Sequence, residues 1–394
     1  MEKKYTLIDN AAEWPACIKR LQEATRIAVD LEANSLYSYR ERICLIQVVT
    51  DTDIFIIDPL SNAFDIAPLQ ELFENGGLEK VFHAADYDLM LLKSRYGWDV
   101  KNLFDTMAAA RVLGFKQLGL AALLKHFFNV TIDKRYQRAD WGKRPLRPDY
   151  LAYAANDTRF LLPLRDLLER QLRENNRWHE ASSIFQSMTS SIVPVQREFD
   201  PERFWKIAGA QDLSPRGLAV LRALYIFRDQ EARKRDLPPF KVLNDEIMVQ
   251  LADASAREAR IPEDNPGFRK LHARFGESLV RAIRQGLKNP VPVRSRRAAV
   301  KKENGFSYRL DLLLNWRKEK ARARGVESDV ILSRRAARAI AETNPENLDS
   351  LRDVFGVGIF TVEQYGQEIL EVLSAANIKA RESSPKSETT PGSS

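Results

Sequence analysis

Two carboxylates interrupt the apolar run IAVDLE at residues 27–32, where Asp30 and Glu32 flank Leu31. Positions two apart on a strand project from one face. The pair would therefore stand a few ångströms apart, and like charges that close repel unless a cation sits between them. A third acid, Asp88, follows in HAADYD, and a fourth, Asp157, lies four residues after Tyr153 in YAAND. On a helix that spacing stacks the phenol and the carboxylate on one face. Each fragment alone has a plainer reading. Asp30 and Glu32 could be a solvated strand end, and Asp88 or Asp86 could simply favour a helix N-terminus. Tyr153 and Asp157 could be an exposed helix face, and His83 a core or turn histidine. Together, four carboxylates without accompanying cysteine ligands make an all-oxygen site suited to Mg²⁺ or Mn²⁺ rather than zinc. Two such ions about 4 Å apart are a recurrent device for cleaving phosphodiesters. Asp30 could bridge them, and Tyr153 could orient or deprotonate the attacking water.

The elements that must position these groups follow from periodicity. RIAVDL, ICLIQVV and DIFIID read as three strands joined by short polar turns, a meander. IAPLQELFENGG has helical spacing and stops at Gly76–Gly77. KVFHAADYDLMLLKSRYG reads as a short strand running into a helix, while LFDTMAAARVLG and LAALLKHFF read as further helices. From Pro148 a long helical stretch, PDYLAYAANDTRFLLPLRDLLERQLRENN, carries Tyr153 and Asp157. Strands followed by alternating helices imply an α/β domain with a mixed sheet. Beyond a linker bracketed by Pro194 and Pro201 the pattern is helical throughout.

The 394-residue chain suggests two to four domains. No run of about 18 apolar residues exists, so no membrane-spanning helix is expected, and MEKKYTLIDN lacks the apolar core of a signal peptide. Cys17 and Cys44, the only cysteines, have no metal-ligand or redox spacing, and a cytoplasmic protein is expected. Charge is uneven. Residues 1–200 carry 26 Lys and Arg against 28 Asp and Glu, whereas residues 201–394 carry 35 against 26. This fits a chemical module tethered to one that binds a polyanion, or solvated helix faces rich in arginine. The basic half repeats. Phe227-Arg228 through Val242-Leu243 lies over Trp316-Arg317 through Ile331-Leu332 at a constant offset of 89. Two copies of one helical unit of about 75 residues account for this. VPVRSRRAAVKKENG between them reads as a linker, and the final RESSPKSETTPGSS as disordered.

The order Asp-x-Glu, His-x-x-x-x-Asp, Tyr-x-x-x-Asp resembles the DEDDy branch of the DnaQ-like 3′–5′ exonucleases and, more narrowly, bacterial ribonuclease D. Supporting stretches are VDLEANSLYSYRERICLIQ, KVFHAADYDL, LFDT and WGKRPL ahead of YLAYAANDTRFLLPL. The resemblance implies an α/β ribonuclease H-like exonuclease domain with a mixed sheet over residues 1–195. Two all-α helical bundles of the helicase-and-RNase-D C-terminal (HRDC) type would follow at 208–290 and 303–376, with a disordered tail at 377–394. It also implies that Asp30, Glu32 and Asp157 hold one metal ion, that Asp30 reaches a second, and that Asp88 acts largely through ordered water. Tyr153 matches the water-positioning tyrosine, and the spacing from His83 selects Asp88 over Asp86. The implied activity is two-metal 3′–5′ hydrolysis of RNA to 5′-nucleoside monophosphates by a monomer, on single-stranded 3′ ends of tRNA precursors and small stable RNAs.

Two further contacts are expected on their residue types. The run DKRYQRADWGKRPLR at 133–147 mixes arginines and aromatics ahead of the third motif, so Arg135 and Arg138 are candidates to line the RNA path. Gly356 and Gly358 in FGVG offer a turn whose amides could approach a phosphate, although a helix-joining turn gives the same sequence. The matching FGES of the first repeat carries Glu277, so that copy could pack on the catalytic domain instead. Two rival functions remain open at this point: a DNA exonuclease with the same carboxylates, and a silent nucleic-acid-binding scaffold.

Overall fold

The computed structural model describes residues 4–133, 135–194, 198–294 and 305–382. Most of the basic linker and residues 383–394 of the expected tail lie outside the described residues. The first layer is one six-stranded sheet in the order β1-β4-β3-β2-β5-β6. Its strands are β1 (Tyr5–Ile8), β2 (Arg26–Ala33), β3 (Ile43–Val49), β4 (Ile54–Ile57), β5 (Glu79–Phe82) and β6 (Leu103–Asp105). The meander β2-β3-β4 is antiparallel, while β1, β5 and β6 join in parallel, so the sheet is mixed as expected. Strand β3, ICLIQVV, is buried throughout, as befits a strand covered on both faces.

Among the described residues, eight helices surround the sheet: α1 (Trp14–Gln22), α2 (Pro68–Glu74), α3 (Asp86–Tyr96), α4 (Thr106–Val112), α5 (Leu120–Phe128), α6 (Pro148–Arg159), α7 (Leu161–Glu174) and α8 (Trp178–Ser190). One strand is not foreseen in the sequence, and two expectations are corrected here. Tyr5–Ile8 is an edge strand on β4. Leu103–Asp105, read as the start of a helix, is instead a strand paired with β5. The long helix from Pro148 is broken at Phe160, which separates α6 from α7.

Five helices form each of the two repeats. The first holds α9 (Pro215–Arg235), α10 (Pro239–Val242), α11 (Asp245–Glu258), α12 (Pro266–Phe275) and α13 (Glu277–Lys288). The second holds α14 (Phe306–Arg324), α15 (Ser328–Ile331), α16 (Arg334–Thr343), α17 (Leu348–Arg352) and α18 (Ile359–Glu382). Helix α18 thus runs through residues 377–382, which the sequence reading assigned to the tail. The repeat is physical as well as textual. Arg228 Nη1 donates to Leu243 O at 3.2 Å, and Arg317 Nη1, 89 positions later, donates to Leu332 O at 2.6 Å.

Both repeats are docked on the sheet domain. Tyr39 Oη donates to Asp229 at 2.6 Å, and the Tyr39 amide donates to Asp236 at 3.0 Å, which fixes the first. For the second, Arg324 grips the buried Glu180 through two bonds of 2.7 Å, and Val330 enters the core of the sheet domain.

Candidate active site

Parallel neighbours β2 and β5 finish on one edge of the sheet. Strand β2 reaches that edge with Asp30 and Glu32, and β5 turns there into α3, whose first turn carries Asp88. Helix α6 packs on β2, β3 and β4. It buries Tyr153 with Ala154 and Ala155, leaves Ala152 and Asn156 exposed, and sets Asp157 half-buried at the same edge. One carboxylate oxygen each from Asp30, Glu32 and Asp157 lies within 4.8 Å of the others. Asp88 is buried beside this trio but outside it, whereas Asp86 is exposed. A register shift between Glu32 and Ala33 bends β2 just after the pair, a common device for re-aiming side chains.

Crowding shows in the protonation of the group. Burial, and then the charge of Asp157, pushes Asp30 up to about 7. Burial raises Asp157 to about 6, against the pull of the hydrogen bond it accepts from Tyr153. Glu32 and Asp88 are held well above the usual carboxylate range by burial and then by Asp30. Burial and then Asp157 raise the Tyr153 phenol, so it keeps its proton. Among the described residues no lysine or arginine is ion-paired with any of the four acids. A hard divalent cation would relieve the repulsion, and a donor set made of carboxylate oxygens fits one.

Gln47 strengthens that fit. It stands opposite Asp30 in the β2–β3 register and is fully buried, and among the described residues neither its amide nitrogen nor its oxygen has a hydrogen-bond partner. Opposite residues share a face, and the water shell of a bound ion would account for such an orphan amide.

Other residues here were not singled out from sequence. Asp105 accepts from the Ala85 amide at 2.7 Å and the Ala108 amide at 2.6 Å, and so ties the start of α3 to the start of α4. The bond to Ala85 braces a turn in which Ala84 takes φ of 61°, a conformation that costs an alanine energy. The sequence offers no signal for this role, which comes from the amides that donate to Asp105 across the fold. His83 bonds Thr106 Oγ1 at 2.9 Å, and burial lowers it to about 4, so it is a neutral turn histidine.

The 133–147 run divides by residue type. Tyr136 and the buried Trp141 wall in Tyr153, with ring centroids 5.8 and 6.0 Å from it. Arg144 is bound to the buried Asp58 by two bonds of 2.6 Å. Arg135 lies exposed and pairs with Asp133, while Arg138 is exposed and its carbonyl accepts from Tyr37 at 2.6 Å.

The turn at Gly356 and Gly358, where the sequence allows a phosphate contact or a helix-joining turn, lies against α8. Gly356 O accepts from Ser187 of α8, and a Cβ on Gly358 would come within 2.7 Å of Ser183 Oγ. The Phe360 amide also donates to Ser183 Oγ at 3.1 Å. The glycines permit close docking of the second repeat on α8, and the first repeat packs on the same domain through Tyr39.

Comparison with known proteins agrees with this architecture. The 3′-5′ exonuclease family pattern matches residues 5–173, and the HRDC domain pattern matches 217–261 and 308–373. A ribonuclease D of Nitrobacter hamburgensis is 30% identical over 71% of this chain and 74% of its own length. The exosome complex exonuclease RRP6 of Saccharomyces cerevisiae is 30% identical over 82% of this chain. The chain spans only 49% of that relative and 29% of the exosome component 10 homologue of Caenorhabditis elegans. Among solved structures, Escherichia coli RNase D superposes over 95% of this chain and 99% of its own with a TM-score of 0.65 at 21% identity, a likeness of fold. The catalytic core of Trypanosoma brucei RRP6 gives 0.64 at 27% identity over 73% of this chain and 80% of its own.

Proposed function

The chain belongs to the ribonuclease D family, and on that ground we propose that it hydrolyses RNA from the 3′ end, releasing 5′-nucleoside monophosphates. The observation that carries the reading is the trio Asp30, Glu32 and Asp157, with oxygens within 4.8 Å of one another, beside Tyr153. When bound, divalent ions held by these carboxylates supply Lewis-acid stabilisation of the charge that builds on the scissile phosphate.

The chain's own groups do the rest. Tyr153 keeps its proton and donates a hydrogen bond to Asp157, which leaves its oxygen lone pairs to accept from the attacking water and fix its direction. That water's oxygen bonds to phosphorus, the bond to the 3′ oxygen of the preceding nucleotide breaks, and the departing oxygen takes up a proton. Asp88 adds negative charge behind the trio and strengthens its hold on cations. A cavity of about 460 Å³ adjoins Tyr153 and is lined also by Asn156 and Arg159.

The finer reading, supported by the family likeness, is a monomeric cytoplasmic enzyme that uses two Mg²⁺ or Mn²⁺ ions on tRNA precursors and other small RNAs. The proposed domains are 1–195, 208–290 and one from 303 to the end of α18 at 382. Chromatography of the products from uniformly labelled RNA tests the reaction. Nucleoside 5′-monophosphates are expected, whereas 3′-monophosphates or oligonucleotides would overturn the reading.

A further inference from the structure

A cleft of about 400 Å³ separates the sheet domain from the first repeat. Its walls come from the loop after β2, the last turn of α3, the chain leading into the first repeat, and α9. Three aromatic rings and three arginines face it: Tyr39, Phe199 and Tyr225 with Arg40, Arg95 and Arg203. Phe199 and Tyr225 are stacked, with centroids 5.5 Å apart and planes at 24°. Tyr39 stands across the seam, anchored through its hydroxyl to Asp229.

The charges in the cleft differ in their engagement. Among the described residues, no side-chain hydrogen bond or ion pair holds Arg40, Arg95 or Arg203, and all three are exposed. Three of the four acids are committed to structure. Glu41 accepts from Tyr87. Asp229 accepts from Tyr39 and Arg233. Asp200 caps the short helix Pro201–Lys206 through the Glu202 amide. The guanidinium donors therefore stand available in the cleft that the three rings also line.

We propose that this cleft is a single-stranded RNA subsite that holds the chain behind the 3′ terminal nucleotide. The proposal rests on the exoribonuclease reading above. Guanidiniums bind phosphodiesters and aromatic rings stack bases, a combination that recognises unpaired nucleic acid. A cleft of this volume cannot admit a duplex. Its position suits the role. Helix α3 carries Asp88 in its first turn and Arg95 seven residues later, about 10 Å along the axis. The bond from Tyr87, next to Asp88, to Glu41 ties the loop wall to the same helix. RNA leaving the carboxylate edge along α3 arrives between the two domains, which assigns the first repeat a share of the substrate.

The test is the double variant Arg95→Ala, Arg203→Ala, made in the full chain. Fluorescence anisotropy is measured with a labelled single-stranded RNA in EDTA over a salt series. Turnover is measured with that RNA and with a nucleoside 5′-monophosphate nitrophenyl ester, too short to reach the cleft. The expected result is KM for RNA raised about tenfold with kcat unchanged, and the ester unaffected. The slope of log K against log salt should fall by ~1.4, the loss of two single-strand phosphate contacts. An unchanged salt slope, or an equal loss on RNA and ester, overturns the proposal. If the parent chain shortens no RNA, the catalytic reading fails by itself, and the anisotropy slopes still decide the cleft.

Discussion

Replacing Asp30 with asparagine should make the metal-free chain more stable while removing its activity. Asp30 reaches about 7 because burial and Asp157 disfavour its charge. The folded value lies above the ordinary 3.8. The proton is thus bound more tightly in the folded state, and the associated stability is complete below pH ~4 and lost as pH rises through about 7. Near pH 8 the ionised group costs about 4 kcal/mol at 1.36 kcal/mol per pH unit, and water at the half-open edge lowers this to ~2–3 kcal/mol. Asparagine keeps the shape and the acceptor for the Leu31 amide. At ~2–4 °C per kcal/mol for a domain of this size, Asp30→Asn should unfold about 4–12 °C higher. The assay is thermal unfolding in EDTA near pH 8 and near pH 4, where both proteins carry a neutral side chain and should coincide. Saturating Mg²⁺ should raise the parent far more than the variant. A variant less stable than the parent near pH 8, by the same margin as near pH 4, would refute the electrostatic reasoning.

Tyr153→Phe should lower kcat by about 10²–10⁴-fold while leaving calorimetric Mn²⁺ affinity within about twofold; loss of metal binding instead would make the phenol part of the metal site. Gln47→Met removes an orphan buried amide and should stabilise the EDTA-treated chain by ~1–3 kcal/mol in denaturant titrations, whereas destabilisation would mean that the amide is satisfied. Glu180→Ala leaves Arg324 without its buried partner, a change worth about 3–5 kcal/mol. Hydrogen exchange should then quicken across residues 306–382 and not across 215–288; uniform exchange would show that the pair does not hold the second repeat.

What the sequence made visible follows from periodicity. Asp30 and Glu32 stand out because alternation on a strand is strict, and Tyr153 and Asp157 because four residues make about one helical turn. Apolar runs revealed β2, β3 and β4 for the same reason. Strand β1 escaped because it is a four-residue edge with only Ile8 buried. Strand β6 escaped because three buried residues directly before a helix carry no period of their own. Asp105 and Gln47 were hidden because their weight comes from partners, or the lack of them, across the fold. The FGVG turn stayed between two readings because glycine serves equally for a phosphate or for a neighbouring helix, and Ser183 and Ser187 of α8 are visible only in the fold.

The central claim is tested most directly with an RNA labelled at its 5′ end and carrying a single-stranded 3′ extension. It is incubated with Mg²⁺ or Mn²⁺ beside the matched DNA and the Asp30→Asn variant. The account predicts a ladder that shortens from the 3′ end of RNA ahead of DNA, stops in EDTA, and is absent with the variant. Internal cuts, shortening of DNA alone, or an undiminished ladder from Asp30→Asn would contradict it.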